Sequence, residues 1–215
     1  MKLSEELQQL KNEFTNKGIH EFPEEKTGVM DGIKKEGIVN KAPKVGDKVP
    51  DFELPDIDGK MVSLSDLLKK GPVVISFYRG DWCVFCNLEL RALQRALSKF
   101  KKYNATLVGI SPDKLEYAKV SKDKHSLDYT LLSDAYGSTA AKYGLLFDVP
   151  QELFDTYDAF GVEVRKHTDS EGLPIPATYV VRSDGQIVYA FVDEDYTKRA
   201  DPAEIVATLM ELESA

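Results

Sequence analysis

The stretch that most constrains the fold is Val73-Val74-Ile75-Ser76-Phe77-Tyr78, followed by Arg79-Gly80-Asp81-Trp82-Cys83-Val84-Phe85-Cys86. The first six residues are mostly β-branched or aromatic, as a strand covered on both faces should be. Beyond the turn, Leu88, Leu90, Ala92, Leu93 and Leu97 give the spacing of an amphipathic helix. Strand, turn and helix together put both sulfurs at a helix N-terminus. There the first backbone N–H groups lack intrahelical partners and carry partial positive charge, which favours an anion such as a thiolate. A free cysteine has a pKa of about 8.5, and a helix end contributes roughly 1 kcal/mol, somewhat less than one pKa unit. Arg79 pushes the same way, whereas Asp81 opposes it. Two thiols on one helical turn can also close into a disulfide and reopen, so the pair can accept or release two electrons.

A Cys-x-x-Cys can instead be half of a structural zinc site, or it can simply pack. Against zinc, Cys83 and Cys86 are the only cysteines, and His20, His125 and His167 stand singly rather than at ligand spacing. Against inert packing stands the coincidence of strand, aromatic residue, cysteine pair and helix. No metal and no cofactor are expected.

A net charge of −8 argues against a nucleic-acid partner, because no basic patch overrides it. No stretch approaches the ~20 apolar residues that span a bilayer, and the opening Met1 to Glu6 lacks the apolar core of a signal peptide. No membrane partner is expected, and a cytoplasmic location is. In that reducing setting a close cysteine pair is catalytic or metal-binding rather than a structural staple.

Along the chain, Leu3, Leu7, Leu10 and Phe14 mark one stripe of a helix ending near Gly18. His20 to Ala42 is rich in charge and glycine, and is read as a mostly irregular connector with at most a short helical turn. The expected organisation is therefore 1–44 as N-terminal helix and connector, and 45–215 as one α/β domain. Val49 to Leu64 forms a hairpin around Asp58-Gly59. Ser65 to Lys69 is a short capped helix. Thr106 to Ile110 is a second buried strand, parallel to the first, and Ser111 or Asp113 caps the next helix. Thr130 to Asp134 is another strand. Leu145 to Leu173 reads as an insertion able to cover the cysteine end of the sheet. Ala177 to Val181 and Gln186 to Phe191 form a hairpin, and Asp201 opens a last helix.

This order of elements, with its Cys-x-x-Cys and the Ile175-Pro176 step before Ala177-Thr178, resembles the thioredoxin fold with a peroxiredoxin-type N-terminal hairpin. Val49-Pro50-Asp51-Phe52-Glu53-Leu54, Asp58-Gly59 and Val62-Ser63-Leu64 are similar to the opening of the alkyl hydroperoxide reductase and thiol-specific antioxidant family. Tyr129 to Asp134 and Tyr179 to Gly185 resemble its later strands. The resemblance implies a central mixed sheet flanked by helices, here with an extra N-terminal helix. In that family the active site reads Pro-x-x-x-Thr-x-x-Cys, so Cys86 takes the place of the peroxide-attacking cysteine, Cys83 that of the threonine and Arg79 that of the proline. The family's later arginine falls near Pro174 to Ala177, where this chain has none. Trp82-Cys83 and Cys86 instead match thioredoxin's Trp-Cys-x-x-Cys, and Pro176 suits the cis-proline that faces its disulfide.

What the resemblance implies is a thiol-based antioxidant enzyme. Cys86 would attack a hydroperoxide, Cys83 would condense with it to a disulfide, and a dithiol donor such as thioredoxin would recharge the pair. The threonine and arginine that would orient and polarise the O–O bond are lacking, so slow catalysis is expected unless Arg79 or Arg91 substitutes. The alternative is disulfide exchange, with Cys83 attacking a substrate disulfide, Trp82 shaping the docking surface and Pro176 touching the bound chain. A redox-silent scaffold protein is the third reading. A homodimer is compatible with all of them.

Overall fold

The computed structural model describes residues 2–214. The N-terminal part is helical: α1 (Leu3–Asn16), α2 (Pro23–Lys26), α3 (Val29–Glu36) and α4 (Ile38–Lys41). A hairpin of β1 (Glu53–Pro55) and β2 (Met61–Ser63) follows, then α5 (Leu64–Leu68), β3 (Val73–Phe77), α6 (Val84–Lys102) and β4 (Thr106–Ser111). Next come α7 (Leu115–His125), β5 (Thr130–Ser133), α8 (Ser138–Lys142), β6 (Leu146–Asp148), α9 (Gln151–Ala159) and α10 (Val164–His167). The chain closes with β7 (Gly172–Pro174), β8 (Ala177–Val181), β9 (Ile187–Val192) and α11 (Pro202–Glu213).

The main sheet has the order β5-β4-β3-β8-β9, with β3 at its centre. β4 lies parallel to β3, with Val73 opposite Thr106, and β8 lies antiparallel to it, with Val73 opposite Val181. All five residues of β3 are buried, which explains why its sequence lacks polar alternation. Its side chains nevertheless divide by the strand's period of two. Val74 joins the core against α1, α6 and α11, whereas Val73, Ile75 and Phe77 join the core beneath β1, α5 and α8. The sheet is thus a layer between helices, and the loop after β3 emerges where α6 begins.

Two expectations change. The connector holds three short helices rather than a mostly irregular path, because Ile33 and Ile38 find a buried apolar cluster with Leu153, Phe154 and Ile175. Short helices that would fray alone are held by such tertiary burial. The cap of α7 is also different. Neither Ser111 nor Asp113 caps it, since Lys114 is the N-cap residue and makes no side-chain cap bond. Asp113 is used instead to fix the loop that carries the cysteines.

Candidate active site around Cys83 and Cys86

The loop between β3 and α6 is held from both sides. Asp81 donates its backbone N–H to Asp113 Oδ2 at 2.8 Å, and its carbonyl accepts from Asn87 Nδ2 at 2.8 Å. Gly80 has φ +145°, and a Cβ there would lie 2.5 Å from Trp82 Nε1 and 2.7 Å from Asp113 Oδ1. Only glycine fits that approach. The turn closes with Cys83 N–H donating to the Gly80 carbonyl at 3.1 Å, and Cys83 becomes the N-cap of α6.

As N-cap, Cys83 does with sulfur what serine does with oxygen: its Sγ accepts the Cys86 N–H at 3.3 Å. Arg79 Nη2 faces the same sulfur at 3.6 Å. Burial pushes the Cys83 thiol up, but it is outweighed by the Cys86 side-chain hydrogen bond, the Arg79 and Arg199 charges and the Cys86 N–H. Together these bring it down to about 5. For Cys86 the balance runs the other way. Burial, the hydrogen bond to Cys83 and the Cys83 charge hold its thiol well above the usual range, against Arg199 and Arg79. Both cysteines are free and buried. Only Cys83 lines the cavity above the loop, which has a volume of about 240 Å³.

Each sulfur has its own arginine, and each arginine its own buried carboxylate. Arg79 pairs with Glu24 from α2, and Tyr157 from α9 accepts from Arg79 at 3.1 Å while donating to Glu24 at 2.6 Å. The Arg79 guanidinium also lies 4.1 Å from the Tyr196 ring centroid and 4.9 Å from that of Trp82. Burial alone would raise the Glu24 carboxyl; the Arg79 charge and the hydrogen bonds of Arg79 and Tyr157 hold it below its ordinary value. On the other side, Arg199 Nη2 donates to Cys86 Sγ at 3.1 Å, and its Nε lies 2.6 Å from Glu89 Oε2. Thr178 Oγ1 donates to the other Glu89 oxygen at 3.2 Å. Burial still lifts the Glu89 carboxyl despite Arg199.

Of the residues singled out from the sequence, the structure brings Cys83, Cys86, Arg79 and Trp82 together. Pro176 is buried in the stretch before β8 but does not line the cavity, and no cis peptide bond occurs among the described residues, so Ile175–Pro176 is trans. Its expected cis role is therefore corrected. Arg91 is exposed on α6, and the arginine that reaches Cys86 is Arg199. Glu24, Glu89, Tyr157, Tyr196 and Arg199 had no local signal. Each lies in an unremarkable polar or helical stretch, and only tertiary folding converges them. The insertion does cover the cysteine end: Trp82 meets Tyr157 edge to face at 5.1 Å.

A mixed sheet with paired cysteines opening the helix after its central strand defines a dithiol protein of the thioredoxin-like fold. Comparison with known proteins gives the family. The model of the AhpC/TSA family matches residues 45–190, and the chain belongs to that family. It is 36% identical over 159 residues to the chloroplastic peroxiredoxin Q of Sedum lineare, covering 73% of this chain and 74% of the relative. The rice (Oryza sativa subsp. japonica) chloroplastic peroxiredoxin Q is 35% identical over 146 residues, 68% of this chain, and only 58% of the rice protein's length is spanned. Among solved structures, the peroxidoxin BcpB of Mycobacterium tuberculosis superposes with a TM-score of 0.63 at 28% identity, over 79% of this chain and 97% of that one. Among the described residues, no helix is long and apolar enough to cross a membrane.

Proposed function

We propose that the protein is a thiol peroxidase in which Cys83 is the attacking sulfur and Cys86 the resolving one. The observation that carries the reading is a thiol brought down to about 5 in the lining of a cavity, beside a second thiol held well above its usual range. Family membership supports the peroxide substrate and a thioredoxin-type dithiol donor. The order of the two cysteines is the reverse of the one drawn from aligning Cys86 with the family motif, and the charges around Cys83 favour it.

The Cys83 thiolate attacks the distal oxygen of a hydroperoxide. The O–O bond breaks, the departing alkoxide takes a proton from solvent to leave as an alcohol, and Cys83 becomes a sulfenic acid. Arg79 lies beside the developing charge and offsets it. Cys86 then attacks the Cys83 sulfur; its own proton and the sulfenic hydroxyl leave as water, and a disulfide forms. The peroxide has gained two electrons and the cysteine pair has lost them. An external dithiol returns both by exchange. In this reading the protein works in the cytoplasm, where each cycle starts from two thiols.

Single-turnover kinetics test the assignment. Cys83→Ser should abolish hydroperoxide consumption. Cys86→Ser should still reduce one equivalent and accumulate a sulfenic acid that a 1,3-diketone traps at Cys83. Trapping at Cys86 in Cys83→Ser, at an undiminished rate, would restore the opposite order.

A further inference from the structure

The family match begins at residue 45, yet one wall of the cavity above Cys83 comes from residues before it. α1 docks through buried Leu3 and Leu7 on the core that includes Leu93, with Arg95 Nη2 reaching Glu6 at 2.6 Å. At its end Gly18 adopts φ +81°, with Gly18 N–H donating to Thr15 and Ile19 N–H to Phe14, both at 2.9 Å. This paired cap turns the chain back and sets Ile19 beside Phe14. Phe22 then stacks edge to face on Phe14 at 5.3 Å and on Phe85 at 5.4 Å, which ties the segment to the helix that carries the cysteines. Two residues on, Glu24 is 1% exposed and engages Arg79 and Tyr157. Facing this wall stand Trp82, Tyr157 and Tyr196.

We infer that residues 14–24 are the specificity determinant of this site: Phe14, Ile19 and Phe22 wall the cavity, and Glu24 latches that wall to Arg79. The inference rests on the peroxidase reading and deepens it. Exchange with a protein disulfide requires its two sulfurs to line up with the attacking thiolate. Cys83, at 2% exposure, offers no room for a disulfide carried on a folded chain while the wall is in place. A compact apolar hydroperoxide enters a cavity of about 240 Å³ with aromatic sides and meets Arg79 at its polar end. The same wall stands before a protein dithiol, so recharging waits on its opening.

The test uses the full chain with Phe22→Ala and, separately, Glu24→Gln, which removes the latch charge at nearly constant volume. Reduced protein is mixed in single turnover with hydrogen peroxide, with cumene hydroperoxide and with insulin, and the oxidation of Cys83 is followed. Reactivity towards a large substrate scales with the fraction of open molecules, so the ratio of the insulin rate to the hydrogen peroxide rate should rise by about tenfold or more in each variant. The KM for cumene hydroperoxide should rise in Phe22→Ala, whose wall has lost its ring. If Phe22→Ala fails to fold, the Glu24→Gln ratio decides alone. An unchanged ratio in a folded Glu24→Gln overturns the inference. A wild type inert towards both hydroperoxides instead overturns the peroxidase reading itself.

Discussion

The surroundings of the two sulfurs look alike and act oppositely. Cys83 has Arg79 backed by Glu24, and Cys86 has Arg199 backed by Glu89. The closer arginine belongs to Cys86, at 3.1 Å against 3.6 Å, yet Cys83 is the sulfur brought down. Distance to the nearer arginine therefore does not by itself decide which thiol ionises here. Cys83 accepts the hydrogen bond of the Cys86 thiol, the strongest influence lowering it, and the Cys86 N–H as well; once it is charged, its own charge and that hydrogen bond hold the proton on Cys86. The difference shows that the hydrogen bond between the two thiols, backed by the charges of Arg79 and Arg199, selects the sulfur that ionises, while the backbone N–H at the helix start adds a smaller share.

Breaking the Cys86 side should have a large effect on stability. Arg199→Met leaves Glu89 buried without its partner, and removing one member of a buried pair costs about 3–5 kcal/mol. Chemical denaturation should show a midpoint far below that of wild type. Breaking the Cys83 side should cost reactivity as well as stability, because Arg79→Met likewise leaves Glu24 buried without its partner. Arg79→Met removes an opposite charge close to the thiolate, worth ~1–3 pKa units. Titrating the thiolate absorbance should place Cys83 higher by that amount, with slower oxidation below neutral pH.

The smallest effect per unit change sharpens the contrast through pH. A folded thiol near 5 and an unfolded one at about 8.5 mean that the unfolded chain binds the extra proton between those values. Stability from Cys83 is then fully present above about 8.5 and is lost as pH falls towards 5, at roughly 1.4 kcal/mol per pH unit within that window. The stability difference between wild type and Cys83→Ser should follow that slope. A flat difference would mean that Cys83 is not the ionised sulfur.

Much of the fold was legible because its signals are local. The uninterrupted apolar run of β3, the Asp58-Gly59 hairpin and the stripe of α1 each report the surface they bury. The connector misled because Ile33 and Ile38 are isolated in a charged stretch, and their helices exist only through partners such as Leu153 and Phe154. Pro176 misled because its position in the pattern fits a role that its trans bond does not.

By itself the sequence determined that two cysteines sit where a helix leaves a buried strand, since residues 73–97 specify strand, turn and helix within one short span. Only the tertiary structure decided which sulfur holds the charge and what covers it. Glu24 reaches Arg79 across 55 residues and Arg199 reaches Cys86 across 113. Electrostatic effects act through distance in space, and no local pattern in the chain records those distances.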